Sequence, residues 1–207
     1  THDGHDHIAS AIANGAAAVM ASREIAAGDT PALLVGDTLT GMQALGRHAR
    51  QRGSARIAAV TGSTGKTGTK DSLKLVLGRQ AETHATQGNL NNHWGLPLSL
   101  ARLPRSARFG VLEMGMNSPG EIAPLSALAE PDVAIVTNVS AVHIEFFDSE
   151  EQIADAKGEI FAGMGNNGTA VLNRDNRHFE RLRHHAEQAG VGRIRSFGSD
   201  AEADIRL

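Results

Sequence analysis

Two glycines, a lysine and a threonine hydroxyl sit in the run Val60-Thr61-Gly62-Ser63-Thr64-Gly65-Lys66-Thr67-Gly68-Thr69-Lys70. An apolar stretch, Ile57-Ala58-Ala59-Val60, leads into them, and Asp71-Ser72-Leu73-Lys74-Leu75-Val76-Leu77 follows with apolar residues at helical spacing. Strand, glycine-rich turn and helix start together make a phosphate cradle. Backbone N–H groups at a helix N-terminus point at the anion, and the macrodipole favours negative charge there. Lys66 would reach the β- and γ-phosphates of a nucleotide, and the Thr67 hydroxyl would sit on Mg²⁺. The full G-x-x-x-x-G-K-[ST] pattern asks for a glycine where Val60 stands, so the motif is the shorter T-G-x-x-G-K-T with Gly62 taking the turn. Gly62, Ser63, Thr64, Gly65, Lys66, Thr67 and Gly68 are the expected phosphate-binding residues.

Other reactive groups fall where neighbouring strands end. Glu113 closes the apolar run Phe109-Gly110-Val111-Leu112, and an acid beside a phosphate loop holds Mg²⁺ or else caps the following loop. His143 follows the run Val133-Ala134-Ile135-Val136-Thr137 and is either a ligand at the same rim or a structural hydrogen bonder. Lys157 lies among Ile153, Ala154, Ala156, Ile160 and Phe161. On such a face a lysine snorkels, or it is buried and its neutral amine becomes available for reaction. Asn89, Asn91 and Asn92 offer uncharged amides to a sugar, peptide or uracil-like ligand, although turn formation also explains asparagines. His2, His5 and His7 lack the cysteines or second cluster that a zinc site would need. Arg181, Arg183, His184 and His185 read as a solvated helix face.

These groups require a sheet to carry them. The chain has 207 residues, 20 basic and 23 acidic, a net charge of -3, no cysteine, and Trp94 as its only tryptophan. That balance shows no nucleic-acid or membrane footprint, and the absence of cysteine excludes disulfides and thiolate metal sites. No apolar run has the length of a membrane span. A soluble, cytoplasmic α/β protein is expected. Short helix at His5 to Asn14, apolar runs at Ala16 to Ala21 and Pro31 to Val35 suited to buried strands, and a helix capped by Thr38 precede a polar break at Gln51-Arg52-Gly53-Ser54. A domain boundary is placed there, giving units 1–53 and 54–207. Beyond it strands and helices alternate. Capping boxes are read at Ser118-Pro119-Gly120-Glu121 and Ser149-Glu150-Glu151-Gln152, with further helices around Leu96 to Leu103 and from Asn176 to Ala189. Repeated βα units imply a mostly parallel sheet flanked by helices, with ligands at the carboxyl ends of its strands.

Taken together the motifs resemble the Mur ligase family, the ATP-dependent amide ligases of peptidoglycan precursor synthesis. The resemblance rests on Thr61 to Thr67, on Thr86-Gln87-Gly88-Asn89-Leu90-Asn91-Asn92, on Glu113-Met114-Gly115-Met116-Asn117-Ser118-Pro119-Gly120-Glu121-Ile122, on Ala156-Lys157-Gly158-Glu159-Ile160-Phe161 and on Asp3-Gly4-His5-Asp6. It is strongest to the branch that adds D-alanyl-D-alanine to a UDP-muramyl peptide, rather than to the diaminopimelate-adding or folylpolyglutamate-type branches. A non-catalytic nucleotide-binding module is the alternative from another class. The resemblance implies ATP with two Mg²⁺ ions, a catalytic role for Lys66, a carbamylated Lys157 helping to hold the second ion, and Thr67, Glu113 and His143 at the metals. It further implies that Asn89, Asn91 and Asn92 lie near the muramyl peptide, and that Asp3 and His5 belong to the domain holding the UDP end. A monomer is expected. Family members have three domains, so this chain is expected to be incomplete at both ends, to bind nucleotide weakly and not to catalyse alone. Two departures stand out: Gly68 replaces a hydroxyl residue, and Ser140-Ala141-Val142-His143-Ile144-Glu145 differs from the family's usual wording around the histidine.

Overall fold

The structure, a computed structural model, describes residues 3–141 and 147–207. His143 and His2, both singled out above, lie outside the described residues.

A 3-10 turn at Gly4–His7 runs into α1 (Ile8–Ala13), and Gly15 follows in the left-handed region at φ 90°, as a residue ending a helix often does. β1 (Val19–Ala21) and β2 (Ala32–Leu34) pair in parallel as a separate two-stranded sheet. Only β1 is buried. Leu33 and Leu34 are more than half exposed, contrary to the expected burial of that run. α2 (Thr38–Gln51) starts one residue away from its expected cap: Asp37 Oδ1 accepts from Thr40 N at 2.7 Å, so Asp37 rather than Thr38 is the N-cap.

The larger sheet holds β3 (Arg56–Thr61), β4 (Thr83–Ala85), β5 (Phe109–Glu113), β6 (Val133–Val136), β7 (Thr169–Asn173), β8 (Arg193–Gly198) and β9 (Ile205–Arg206). Its spatial order is β4-β5-β3-β6-β7-β8-β9 and every pairing is parallel, so the expected sheet is realised without an antiparallel member among the described residues. The joining helices are α3 (Lys66–Gly78), α4 (Gly95–Ala101), α5 (Ile122–Ala129), α6 (Glu150–Gly158) and α7 (Phe179–Gln188).

Alternation along the strands divides the core in two. Ile57, Ala59, Leu112, Ala134, Val136, Ala170 and Leu172 point to one face, where α4 to α7 supply Leu96, Leu100, Ile122, Leu125, Ile153 and Leu182. Val60 and Val111 point to the other, where α3 supplies Leu73 and Leu77. The chain therefore leaves β3 on one face and returns from β5 on the other. That reversal opens a crevice at the strands' carboxyl ends.

α2 packs outside this layer against α4 and α5. Gly46 permits the approach, since a Cβ there would meet Pro97 O at 3.0 Å. Arg50 fastens the same helix, donating to the carbonyls of Ala129, Ala55 and Glu130.

Two expected starts are shifted. α5 begins at Ile122, because Gly120 lies at φ 85° and breaks the turn that Ser118 was to cap. The carboxylate of Glu159 accepts instead from Gly120 N, Ile122 N and Ala123 N at 2.6 to 3.1 Å. α7 begins at Phe179, since Asn176 spends its amide on Asn138 Oδ1 and Val139 O. The box at Ser149 does form a cap, with Ser149 Oγ accepting from Gln152 N. The basic face of α7 is only partly solvated. Arg181 and His185 both bond Asp155 and tie α7 to α6.

Candidate active site

Parallel register sets the site. β3 pairs Val60 with Glu113 of β5 and Thr61 with Val136 of β6, so the phosphate loop emerges between an acid and a threonine. Gly65, at φ 82°, is the residue before α3, and Lys66 and Thr67 form its first turn with their N–H groups free of intrahelical partners. The loop is fixed from the β6 side. Thr137 Oγ1 donates to Thr64 O at 2.5 Å and lies 3.2 Å from Thr61 O. Ser63 N donates to Asn138 O, and Ser63 Oγ both donates to Ser140 O and accepts from Ser140 N. Ser63 thus clamps the loop to Asn138 and Ser140, and the Thr64 carbonyl is held by Thr137. Gly68 lies inside α3, not in the loop.

Around a cavity of about 190 Å³ the structure brings together Gly62, Ser63, Lys66, Asn91, Asn92, Glu121 and Lys157, along with the turn Gly115 to Asn117 and Phe147. Lys66 Nζ donates to Gly62 O at 2.7 Å, folded back over its own loop. Glu113 is buried and both its oxygens are engaged: Oε2 accepts from Thr67 Oγ1 at 3.0 Å and Oε1 from Asn91 Nδ2 at 2.8 Å. Each oxygen keeps a further lone pair. Hydroxyl and carboxylate side by side at a phosphate loop are hard donors of the kind Mg²⁺ takes along with nucleotide phosphates, so the residues present fit that ion. Among the described residues no group of three or more histidines, aspartates or glutamates is placed to hold a metal ion, so the ion would rest on this pair together with the phosphates.

Lys157 is 5% exposed, on the apolar side of α6. Burial first, and the charge of Lys66 second, lower its pKa to about 7. The snorkelling alternative is thereby set aside. Burial also lowers Lys66, opposed by Glu113.

The asparagines divide three ways. Asn91 orients Glu113 and also holds Gly115 N through its carbonyl. Asn92 Oδ1 accepts from Trp94 N and Gly95 N, capping α4, while the residue still lines the cavity. Asn89 is exposed and lines none of it. Asp3 and His5 do not reach the cavity either. Ser22 N donates to His5 Nε2, which leaves the proton on Nδ1 for Asp3 Oδ1; the backbone N–H of His5 first, and its ring second, hold Asp3 at about 2. Thr137 and Glu159 were not singled out from the sequence. Their signals were a hydroxyl one residue past a strand end, and a carboxylate two residues beyond Lys157 on the same apolar segment.

A parallel sheet with its switch point at a phosphate loop, an adjacent buried acid and a desolvated lysine define a nucleotide-dependent phosphoryl-handling domain. Residues 60–207 match the Mur ligase middle domain, and the chain belongs to the Mur ligase family. It is 36% identical over 206 residues to the UDP-N-acetylmuramoyl-tripeptide--D-alanyl-D-alanine ligase of Rickettsia prowazekii, covering 99% of this chain and 46% of that one. Among solved structures it resembles the MurF ligase of Thermotoga maritima in complex with ADP, with a TM-score of 0.80 and 36% identity over 96% of this chain and 45% of that one. It also resembles the UDP-N-acetylmuramoylalanyl-D-glutamyl-2,6-diaminopimelate--D-alanyl-D-alanyl ligase of Acinetobacter baumannii, with a TM-score of 0.84 and 33% identity over 98% and 44%. The chain spans less than half the length of these relatives. No described helix is long and apolar enough to cross a membrane.

Proposed function

We propose that the chain supplies the ATP-binding domain of a ligase that joins D-alanyl-D-alanine to a UDP-N-acetylmuramoyl-tripeptide through an acyl phosphate. The observation that carries this reading is the convergence of Lys66, Lys157, Glu113 and Asn91 at one rim, in a chain similar throughout to ligases of that name. In this reading Gly62 to Thr67 hold the triphosphate on their amides and Lys66 leaves Gly62 O to neutralise the transferring phosphoryl group. The peptide's terminal carboxylate attacks the γ-phosphorus and ADP leaves. The amine of D-alanyl-D-alanine then attacks the acyl carbon, phosphate departs and the amide forms. Thr67 and Glu113 would hold Mg²⁺, which supplies charge neutralisation when bound. Lys157 would react as the neutral amine with carbon dioxide, losing a proton and becoming an N-carboxylate able to hold a second ion, with His143 as the further expected ligand. Residues 1–53, with Asp3 and His5, are read as part of the unit that holds the UDP end. The enzyme is placed in the cytoplasm, as a monomer.

Two measurements test this. Calorimetry with ADP should show saturable binding that Mg²⁺ strengthens. Glu113→Ala removes the acceptor of Thr67 and Asn91 and should cut that Mg²⁺ enhancement by about tenfold or more; an unchanged enhancement refutes the metal assignment. A chimaera with residues 1–207 in place of the matching segment of the Rickettsia protein should release phosphate from ATP only when both UDP-N-acetylmuramoyl-tripeptide and D-alanyl-D-alanine are present. Release that ignores either substrate would overturn the reading.

A further inference from the structure

Charge is divided along the chain in a way that the overall balance of -3 conceals. Residues 47–108 hold eleven of the 20 basic side chains and only two of the 23 acidic ones, Asp71 and Glu82. Lys66 and Lys70 belong to the phosphate loop and the start of α3. Most of the others gather at the opposite end of the sheet, where β3, β4 and β5 begin. Arg56 opens β3 and donates its N–H to the carbonyl of Arg108, whose own N–H donates to Glu82 O between α3 and β4. The main chain of Arg105 passes Gly53, within 3.5 Å of where a Cβ would stand, and Arg52 donates from the same turn to Leu103 O. Arg102 follows α4 and Arg79 follows α3. Burial holds His84 of β4 below its ordinary pKa and the charges of Lys74 and Arg102 add to this, so both cations lie near that strand.

Arg52, Arg56, Arg79, Arg102, Arg105 and Arg108 are all exposed, and among the described residues no carboxylate pairs with any of them. Elsewhere the pattern is reversed: Arg174, Arg177, Arg181, Arg183 and Arg195 each have a carboxylate partner. Like charges gathered without counter-ions repel one another, a cost that an anionic partner removes. Apolar groups stand beside these cations. Leu75 and Val76 of α3 are 65% and 58% exposed, and Lys74, Leu75 and Arg79 line one surface depression.

We propose that the end of the sheet where β3, β4 and β5 begin, together with the last turns of α3, is a docking surface for an anionic lipid bilayer. Guanidinium groups spread over several turns neutralise a plane of phosphate headgroups, and Leu75 and Val76 enter the boundary with the acyl chains. Nucleic acid fits less well. Single strands are bound on aromatic platforms, and among the described residues this end carries only Phe109, which is half-buried. Duplex readers present a helix or ribbon to a groove, whereas these arginines sit on turns and strand starts. The phosphate-loop cavity lies at the other end of the strands, so docking leaves it free for ligands.

Flotation of the whole chain with phosphatidylcholine vesicles containing about one-third phosphatidylglycerol tests this. Binding should be saturable, absent with pure phosphatidylcholine, and weaker by at least about tenfold when salt rises from about 50 to about 500 mM. The triple variant Arg102→Gln, Arg105→Gln, Arg108→Gln should lose at least about tenfold in vesicle affinity. The double variant Leu75→Gln, Val76→Gln should also bind vesicles less well, yet bind a heparin column as the wild type does, because it removes insertion and keeps the charge. Both variants should melt with the wild type, since every substituted side chain is exposed. Equal vesicle binding by the arginine variant overturns the surface, and so does a wild-type chain that ignores the anionic vesicles. Tighter association with duplex DNA or with polyglutamate than with the vesicles overturns it too, by making the partner a nucleic acid or an acidic protein.

Discussion

Lys157→Met is expected to make the chain more stable at pH 7, not less. The side chain is buried, and in the folded protein its amine titrates at about 7 against an ordinary 10.5. Between those values the unfolded chain binds a proton that the folded chain does not, so stability rises with pH across that window. Below about pH 7 both states are protonated and the penalty is complete. The shift caps that penalty at ~4 kcal/mol near neutrality, and methionine, of similar length and uncharged, removes it. Guanidinium denaturation from pH 6 to 10 should therefore show a rising wild-type curve and a flatter, higher one for Lys157→Met. Coincident curves would mean that the amine is not desolvated. The same physics gives the site its chemistry. A neutral amine attacks carbon dioxide, and the N-carboxylate so formed is attracted by the Lys66 charge that repels the ammonium. With ¹³C-bicarbonate, the wild-type chain should show a carbamate signal that Lys157→Met lacks, and turnover in the chimaera should be lost in that variant without recovery in bicarbonate.

Gly62→Ala is expected to destroy nucleotide binding and to destabilise the fold by about 3 kcal/mol or more. Two costs coincide. The residue sits at φ 151°, which side chains rarely adopt, and a Cβ there would overlap the Thr137 hydroxyl. Moving Thr137 breaks its bond to Thr64 O and loosens the loop whose amides face the phosphates. Gly68→Ala is the matched control. It lies in α3 with open space where a Cβ would go, so it should leave ADP affinity unchanged and raise stability by up to ~1 kcal/mol through helix propensity. Similar losses in both variants would contradict the geometry of the loop.

The strand–loop–helix at Ile57 to Leu77 was legible because its chemistry is local: glycines, lysine and hydroxyl act within a few residues of one another. Glu113 and Lys157 could be singled out because a charge among apolar neighbours is conspicuous at any fold. What escaped was non-local. Asn91, expected near a ligand, lines the cavity and also steers Glu113, a second role that escaped because nothing in sequence says that a loop from β4 passes over the end of β5. The cap of α5 was sought at Ser118, its own neighbour in sequence, while the acceptor is Glu159, 37 residues from Ile122. Asp3 and His5 bond to each other, to Ser22 and to Arg23, contacts that reach up to 20 residues along the chain and that their spacing did not announce. The burial expected for the run Pro31 to Val35 failed at Ala32–Leu34 because an apolar run states a tendency to be covered and not what covers it.

The hydroxyl that closes the phosphate loop belongs to a residue 73 positions after the carbonyl it binds. At a synthesis rate of roughly 5–20 residues per second, a ribosome takes about 4–15 s to travel that far. During this interval β3 can pair with β5, but its other edge waits for β6, and the loop has no fixed shape. The nascent chain therefore passes through a stage with an open, apolar strand edge and no nucleotide site to stabilise it. Ribosome-stalled chains ending before β6 should be the ones that recruit chaperones, and ADP should protect only those long enough to expose Thr137.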